Sequence, residues 1–410
     1  MKISAIVLCH NNYYINRVVE SIKAQLNNDD EIFVVDDHSC QEVREIIDSM
    51  GVQVLDPQEK GNRSANRNLA AKKSNGELLL FVDGDVLLGE GALEIIRNFD
   101  YRGISGVCGS VAAMRMTPET MTIENHSYFE KISFDSYDMD YWQSKYPDSR
   151  NERVILPWNR FYTAFSIVPR DLFYKAGMFD ESFQGWGGED IDLGYRLREL
   201  GKLVILKELC ALHIPHIRNI PQEEINGRRN MYKMLDKYRN REMEELISFA
   251  LTPYVTDGIN TVCQRLRELD NSGHTIEASK KELLYHPVSR QEPDGKIEYY
   301  VSGKKKEEAF LGLALPFDDG CFEGAVTTTH IFDYPKGIAT RILQELIRAA
   351  SSVRVIKYPS RNVEWGEIES TFKYVFCYYK TYLFADTYED FSIKDMGEYY
   401  LVERALKRRD

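Results

Sequence analysis

Leu78-Leu79-Leu80-Phe81-Val82-Asp83-Gly84-Asp85 decides the fold. Five apolar residues in a row are too few for a buried helix and suit a strand covered on both faces. The run stops on two carboxylates separated by a glycine. Upstream, the same pattern recurs twice. Lys2 to Leu8 is a β-type run ending at Cys9, His10, Asn11 and Asn12, and Glu31 to Val35 ends at Asp36, Asp37, His38 and Ser39. Helical stretches separate the runs. Ile15, Val18, Val19, Ile22 and Leu26 share one helix face, Gln41 to Met50 and residues 63–74 read as two more helices, and Val52 to Leu55 is a further strand. Strands alternating with helices predict an α/β domain with a covered parallel sheet. In such sheets ligands bind beyond the carboxyl ends of the strands, where Asn11, Asp36, Asp37, Asp83 and Asp85 fall.

Asp83-Gly84-Asp85 can turn both carboxylates toward one cation. Hard oxygen ligands suit Mg²⁺ or Mn²⁺, ions commonly shared with substrate phosphates. The bland alternative is an ordinary acidic turn. No P-loop is present, and no Gly-x-Gly-x-x-Gly follows the first strand, so phosphates would be held through a metal and basic side chains. Arg67 is a candidate, against the alternative of a solvated helix-surface arginine. Further along, 103–108 reads as a strand, 144–153 as a loop, and 154–168 as an apolar, aromatic stretch in which Trp158 either packs in the core or lines a pocket. Arg170 to Ala176 is a short helix.

Then comes Phe179-Asp-Glu-Ser-Phe-Gln-Gly185-Trp186-Gly187-Gly188-Glu189-Asp190-Ile-Asp192-Leu. Glycines around a tryptophan make a sterically open loop. Leu193, Leu197 and Leu200 at helical spacing start a helix just after it, so Glu189, Asp190 and Asp192 occupy its first turn. Their minimal role is to complement the helix dipole. Leu203 to Leu206 is a strand, followed by His213 and His216, two of the eight histidines in the chain. Either could complete a metal site begun by Asp85. Residues 222–250 are helical and charged.

The chain has 410 residues, enough for two or three domains, and a net charge of −12, which argues against general nucleic-acid binding. The seven cysteines are scattered without a Cys-x-x-Cys pair, as expected in a reducing compartment. No apolar run approaches the roughly 18–20 residues of a membrane span. The expectation is a cytoplasmic protein, with peripheral membrane association left open.

In order along the chain, Asn11, Asp36-Asp37-His38-Ser39, Arg67-Asn68, Asp83-Gly84-Asp85, Phe179-Asp180-Glu181 and Gly185 to Asp190 resemble the GT-A glycosyltransferases of inverting family 2. The Gly-Trp-Gly-Gly-Glu-Asp segment is similar to that of the β-1,4-galactosyltransferases and the bacterial chondroitin-polymerase type. The resemblance covers roughly residues 1–240. It implies a mixed GT-A sheet with helices on both faces and a metal-dependent transfer of sugar from a nucleotide sugar, UDP-linked by resemblance, to a glycan, lipid-linked sugar or protein hydroxyl. Asn11, Asp36 and Asp37 would contact the nucleoside, with Arg67 near it. Asp83 and Asp85 would hold Mn²⁺ or Mg²⁺ on the diphosphate, with His216 or His213 as a further ligand and His216 favoured. Asp190, beside Glu189, would be the general base, and Trp186, with Gly187, would close over the sugar. Leu8 stands where a proline is common, and His38 where a glycine is common.

A boundary is expected near 250, giving a catalytic domain 1–250 and a smaller α/β domain 251–410. Leu313 to Val326, a helix at Ile338 to Ala350, and strands at Val353 to Tyr358 and Tyr399 to Glu403 resemble the back half of a class I methyltransferase. The glycine-rich turn that would hold S-adenosylmethionine has no counterpart between 251 and 312. The expected role is therefore acceptor recognition or self-association. A bifunctional, methyl-transferring protein and a non-catalytic sugar-nucleotide binder are the competing readings.

Overall fold

The computed structural model describes residues 1–58, 60–113, 158, 161–214, 220–251, 266–269, 278–358 and 388–406. The chain divides into two compact units, Met1–Asn230 and Met231–Asp410. The loop expected at 144–153 and His216 lie outside the described residues.

The first unit is built on strands β1 (Ile3–Cys9), β2 (Glu31–Asp36), β3 (Gln53–Leu55), β4 (Leu78–Asp83), β5 (Val86–Leu88), β6 (Ile104–Ala113), β7 (Phe165–Pro169) and β8 (Lys202–His213). The helices are α1 (Ile15–Lys23), α2 (Gln41–Ser49), α3 (Arg63–Lys73), α4 (Ala92–Asn98), α5 (Arg170–Lys175) and α6 (Glu189–Leu197). The sheet order is β3-β2-β1-β4-β7-β6-β8-β5. β1 to β4 are mutually parallel as the helical crossovers require, whereas β7 runs antiparallel between β4 and β6, making the sheet mixed. β6 and β8 are both longer than their apolar runs suggested. They pair with each other from Ile104–Lys202 to Ala113–His213, so polar residues are carried into the strands by the ladder.

Strand alternation divides the core in two. Leu78, Leu80 and Val82 pack with Ile3, Ala5 and Val7 under Ile15, Val18 and Ile22 of α1 and Val43 and Ile47 of α2. Leu79 and Phe81 face the other way, against Ala70 and Ala71 of α3, Phe173 of α5, Phe179, and Leu193 and Leu197 of α6. α3 and α6 therefore share one face of the sheet. Helix α3 carries only small apolar residues inward, and its buried face is completed by Ser64, Arg67 and Asn68, while Leu69 is half-buried. Trp158 resolves as a core residue: it is 3% exposed and edge-on to Tyr195.

The second unit holds a seven-stranded sheet. β9 (Glu282–His286), β10 (Lys296–Val301) and β11 (Lys304–Glu308) form antiparallel hairpins that the sequence reading did not anticipate. β12 (Gly324–Thr328) is parallel to β9 and to β13 (Ser352–Ile356), and β15 (Tyr399–Leu406) runs antiparallel between β13 and β14 (Tyr388–Asp395). Two helices, α7 (Ile220–Tyr238) and α8 (Arg241–Leu251), occupy the charged stretch of sequence after β8, and the division of the units falls inside α7. The expected amphipathic helix at 338–350 is α9 (Lys336–Ala349), but it has no solvated polar face. Arg341, Gln344, Glu345 and Arg348 are all buried. Glu345 lies 2.9 Å from both Arg341 and Arg348, and Arg348 donates to the carbonyls of Leu315 and Phe317 in the Leu-Pro-Phe turn. Buried charge is tolerable only with such partners.

Asn68 ties α3 to the segment before the tryptophan loop. Its amide donates to Phe179 O and Glu181 Oε1, each at 2.9 Å, and its carbonyl accepts from Phe179 N at 3.0 Å. Asn68→Ala leaves buried backbone groups of Phe179 without these partners. The expected loss is about 2–4 kcal/mol, read as a lower midpoint in urea with an unchanged slope.

Candidate active site

The register places the three polar strand ends side by side: Cys9 pairs with Asp36, and Leu8 with Asp83. Beyond β1 the chain turns back through Asn11, which adopts a left-handed φ of 51°. The Asn11 side chain accepts from Cys40 N at 2.7 Å, while its own N–H donates to Ser39 Oγ at 2.9 Å. His38 also has a positive φ, 56°. Histidine is among the side chains that tolerate this region, so His38 keeps the turn. Asp36 is buried; it accepts from Ser39 N and from Arg44. Asp37 is buried as well, with both carboxylate oxygens 3.0 Å from Gly61 N. Asn11, Asp36 and Asp37 therefore sit in one loop cluster at the carboxyl end of the sheet.

Gly84 is required by close approach. A Cβ there would lie 2.5 Å from the Leu8 carbonyl, to which Gly84 N donates at 2.8 Å. Asn12 Nδ2 donates in turn to Gly84 O. The acidic turn is thus pinned to the end of β1, with Asp83 and Asp85 diverging from it. Asp83 faces Arg67 at 2.9 Å. Asp85 faces β8: Val86 is in register with His213, Ile214 N donates to Asp85 O at 2.7 Å, and His213 Nε2 is 3.5 Å from Asp85 Oδ2. Among the described residues no group of three or more His, Cys, Asp or Glu side chains converges as a metal cage. Asp85 and His213 offer an oxygen and an imidazole side by side, a donor pair that fits Mn²⁺ or Mg²⁺ when phosphate oxygens supply the remaining ligands.

Arg67 is not a surface arginine. It is 3% exposed, over the Phe179 ring at 5.4 Å, and its guanidinium donates to Asp83 at 2.9 Å and to Glu189 at 3.1 Å. Burial disfavours its charge, but Asp83 and Glu189 outweigh that and hold its pKa above the usual value. The sequence signal that marks it is its place, with Ser64, Asn68 and Ala71, on the inward face of α3. Glu189 is buried and so belongs to this ion-pair cluster. The next residue, Asp190, is half-buried, and its Oδ1 accepts from Ile191 N at 2.8 Å. Burial first, then the Glu189 charge, push its carboxyl up to about 7, while Arg67 opposes them. Asp192 takes no part: it is buried against Arg196, which also donates to the Met178 carbonyl.

Gly185, Gly187 and Gly188 all have positive φ, 74°, 87° and 97°. They carry Trp186 to the surface, 39% exposed. The loop rests on α7, whose Asn230 and Arg229 donate to its carbonyls. The sequence reading missed these residues because α7 displays only helical periodicity and charge.

Residues 4–175 match the family pattern described as Glycosyl transferase family 2. Among curated proteins the chain is 28% identical over 207 residues to the validoxylamine A glucosyltransferase of Streptomyces hygroscopicus subsp. jinggangensis (strain 5008), covering 46% of this chain and 49% of that one. It is 24% identical over 327 residues to the uncharacterized glycosyltransferase YfnE of Bacillus subtilis (strain 168), covering 69% and 81%. The chain thus spans about half the length of the Streptomyces relative. Among solved structures, S. aureus TarS 1-349 superposes with a TM-score of 0.42 at 18% identity, covering 65% of this chain and 75% of that one. No helix among the described residues is long and apolar enough to cross a membrane.

Arg67→Met strips the cluster of its cation. Glu189 is left buried and unpaired, which costs about 3–5 kcal/mol, and the Asp190 carboxyl loses its opposing charge. The variant is expected to unfold at lower denaturant and, where still folded, to show an Asp190 titration by NMR displaced above that of the wild type. The match to the Glycosyl transferase family 2 pattern falls on residues 4–175, the part of the chain that holds β1 to β7 and the polar carboxyl edge of the sheet.

Proposed function

We propose that the chain transfers a sugar from a nucleotide sugar to an acceptor hydroxyl with inversion, Asp190 acting as the general base. The observation that carries this reading is the Asp190 carboxyl: it is planted at the start of α6 by the Arg67–Glu189 pair, directly after the tryptophan loop and close enough to Asp83 to feel its charge, with its pKa raised to about 7. A base works best when its pKa lies near the working pH.

In the proposed reaction Asn11, Asp36 and Asp37 hold the nucleoside at the carboxyl ends of β1 and β2, and Trp186 covers the sugar. Asp190 accepts the proton of the acceptor hydroxyl. The hydroxyl oxygen then bonds to the anomeric carbon as that carbon's bond to the diphosphate breaks on the opposite side, so the configuration inverts. Asp85 and His213 would hold Mn²⁺ or Mg²⁺, which when bound supplies Lewis-acid stabilisation of charge on the leaving diphosphate. His216 remains the alternative ligand that family resemblance favours. Asp83, paired to Arg67, acts mainly through that pair. The nucleotide is proposed to be UDP, and the acceptor a glycan, a lipid-linked sugar or a protein. The transferase named in the Streptomyces relative is a glucosyltransferase, which supports a hexose donor.

The second unit is proposed to be an accessory domain, 251–410 together with the end of the helical segment, serving acceptor recognition or self-association. Among the described residues β9 passes into β10 through a hairpin, not into a helix. This favours the accessory role over methyl transfer.

Asp190→Asn is expected to lower transfer by about 10²–10⁴-fold, with donor binding by calorimetry retained; wild-type turnover in this variant overturns the base assignment. The ionised carboxylate is the active form, so kcat/KM of the wild type should fall about tenfold per pH unit below about 7 and level off above it. Asp85→Asn should instead weaken donor binding in Mn²⁺ and leave binding in EDTA unaltered. Unchanged metal dependence in that variant counts against Asp85 as a ligand.

A further inference from the structure

The tryptophan loop has a dedicated seat on α7, and the seat depends on two residues that carry no chemistry of their own. The Asn230 side chain is 2% exposed. Its Nδ2 bears two hydrogens and faces three loop carbonyls: Gly187 O at 2.6 Å, Gln184 O at 3.1 Å and Trp186 O at 3.3 Å. The carboxamide donor meets the loop backbone on both sides of the indole. Arg229 adds a bond to Gln184 O at 2.9 Å. One helical turn before Asn230, Gly227 lies beneath the ring. A Cβ there would come within 3.0 Å of Cζ3 and 3.1 Å of Cε3 of Trp186. Those distances are shorter than ordinary contact, so any larger residue moves the ring.

Glycine inside a helix is otherwise a liability, since alanine is the better helix former. Gly227 does not need glycine for its own backbone angles: it is not among the positive-φ glycines. Its value on this helix is the room it leaves for the indole. The loop glycines act in the complementary sense. Their left-handed angles let the backbone fold so that the carbonyls of Gln184, Trp186 and Gly187 converge on one amide.

We propose that Asn230 and Gly227 are positioning residues that fix the stance of Trp186 over the sugar-binding end of the first unit, and so determine how well the sugar and the acceptor hydroxyl are aligned with Asp190. This rests on the glycosyl-transfer reading for its consequence, but the seat itself is a property of the protein alone. A ring offset of a few tenths of an ångström is the kind of misplacement that transition-state alignment feels and ground-state nucleotide binding does not.

The test uses the full chain with Gly227→Ala and Asn230→Asp. The first adds one methyl group and raises helix propensity; the second keeps shape and replaces the donor with an acceptor facing three carbonyls. Trp186 emission is isolated by subtracting the matching Trp186→Phe protein in each background, since the chain has four tryptophans. The expected result is a shifted Trp186 emission in both variants. Gly227→Ala should keep or raise Tm, transfer kcat should drop by about tenfold or more, the acceptor KM should rise, and the Kd for UDP should stay within about twofold. A merely structural role would lower Tm and UDP binding together. Unchanged Trp186 emission in both variants overturns the seat, and changed emission with wild-type kcat and KM overturns its positioning role. If the wild-type chain releases no nucleoside diphosphate from any nucleotide sugar tried, the glycosyl-transfer reading fails, and the emission comparison still decides the seat.

Discussion

A guanidinium buried between two carboxylates fixes the geometry on which the first unit's chemistry depends. Arg67 comes from a helix that crosses the sheet after β3, Asp83 from the end of β4, and Glu189 from the start of α6. These lie far apart in the chain, and the ion pairs between them exist only if α3 and α6 pack on the same face of the sheet. The alternating side chains of β4 secure that packing: Leu79 and Phe81 feed the face on which the alanines of α3 and the leucines of α6 lie. Asn68 adds hydrogen bonds that hold the 179–181 segment to the same helix. Burying Arg67 and Glu189 beside a half-buried Asp83 gains little stability over an apolar core of equal volume. What the arrangement achieves is placement. Glu189 cannot move without leaving Arg67 short of an anion, so the backbone of the residue after it is fixed as well.

That placement explains how adjacent acids come to differ. Glu189 points to the guanidinium and is neutralised by it. Asp190, one residue on, is directed elsewhere, loses water, and feels the Glu189 charge, so it holds its proton up to about pH 7. A carboxyl whose surroundings raise its pKa toward neutrality is a recurrent basis for acid–base work. The helix start contributes differently from the sequence expectation. No side chain caps α6; Gly188 takes the N-cap position in a left-handed conformation, and the first-turn acids are directed to Arg67, to the adjacent N–H and to Arg196.

Much of the fold was legible because strand and helix periods differ. β1, β2 and β4 are short apolar runs that break on polar residues, and each break proved to be a strand end at the carboxyl edge of the sheet. The acidic turn was legible for the same reason. Three things were not. The antiparallel insertion of β7 depends on long-range pairing, to which a local pattern is blind. The burial of Arg67, and of Arg341, Glu345 and Arg348 on α9, inverts the polar-out rule; only the partners make it tolerable, and the partners are supplied by the tertiary fold. The seat of the tryptophan loop was hidden because it is made of a carboxamide and a missing side chain, and neither leaves a periodic trace.

The two ends of the same loop are held by opposite means. At Glu189 the hold is ionic and buried, with hydrogen-bonded charges in a low-dielectric core. At Gln184 to Gly188 it is a set of hydrogen bonds from the Asn230 amide and the Arg229 guanidinium of α7 to backbone carbonyls, over glycines whose backbone resists little rotation. Breaking the α7 contacts costs hydrogen bonds to backbone carbonyls, whereas breaking the Arg67 contacts strands a buried charge, so the hold at Glu189 is the costlier of the two to break. The chain therefore separates what must stay rigid from what can yield. The carboxylate proposed as base belongs to the rigid side, and the exposed indole belongs to the side held by exchangeable bonds.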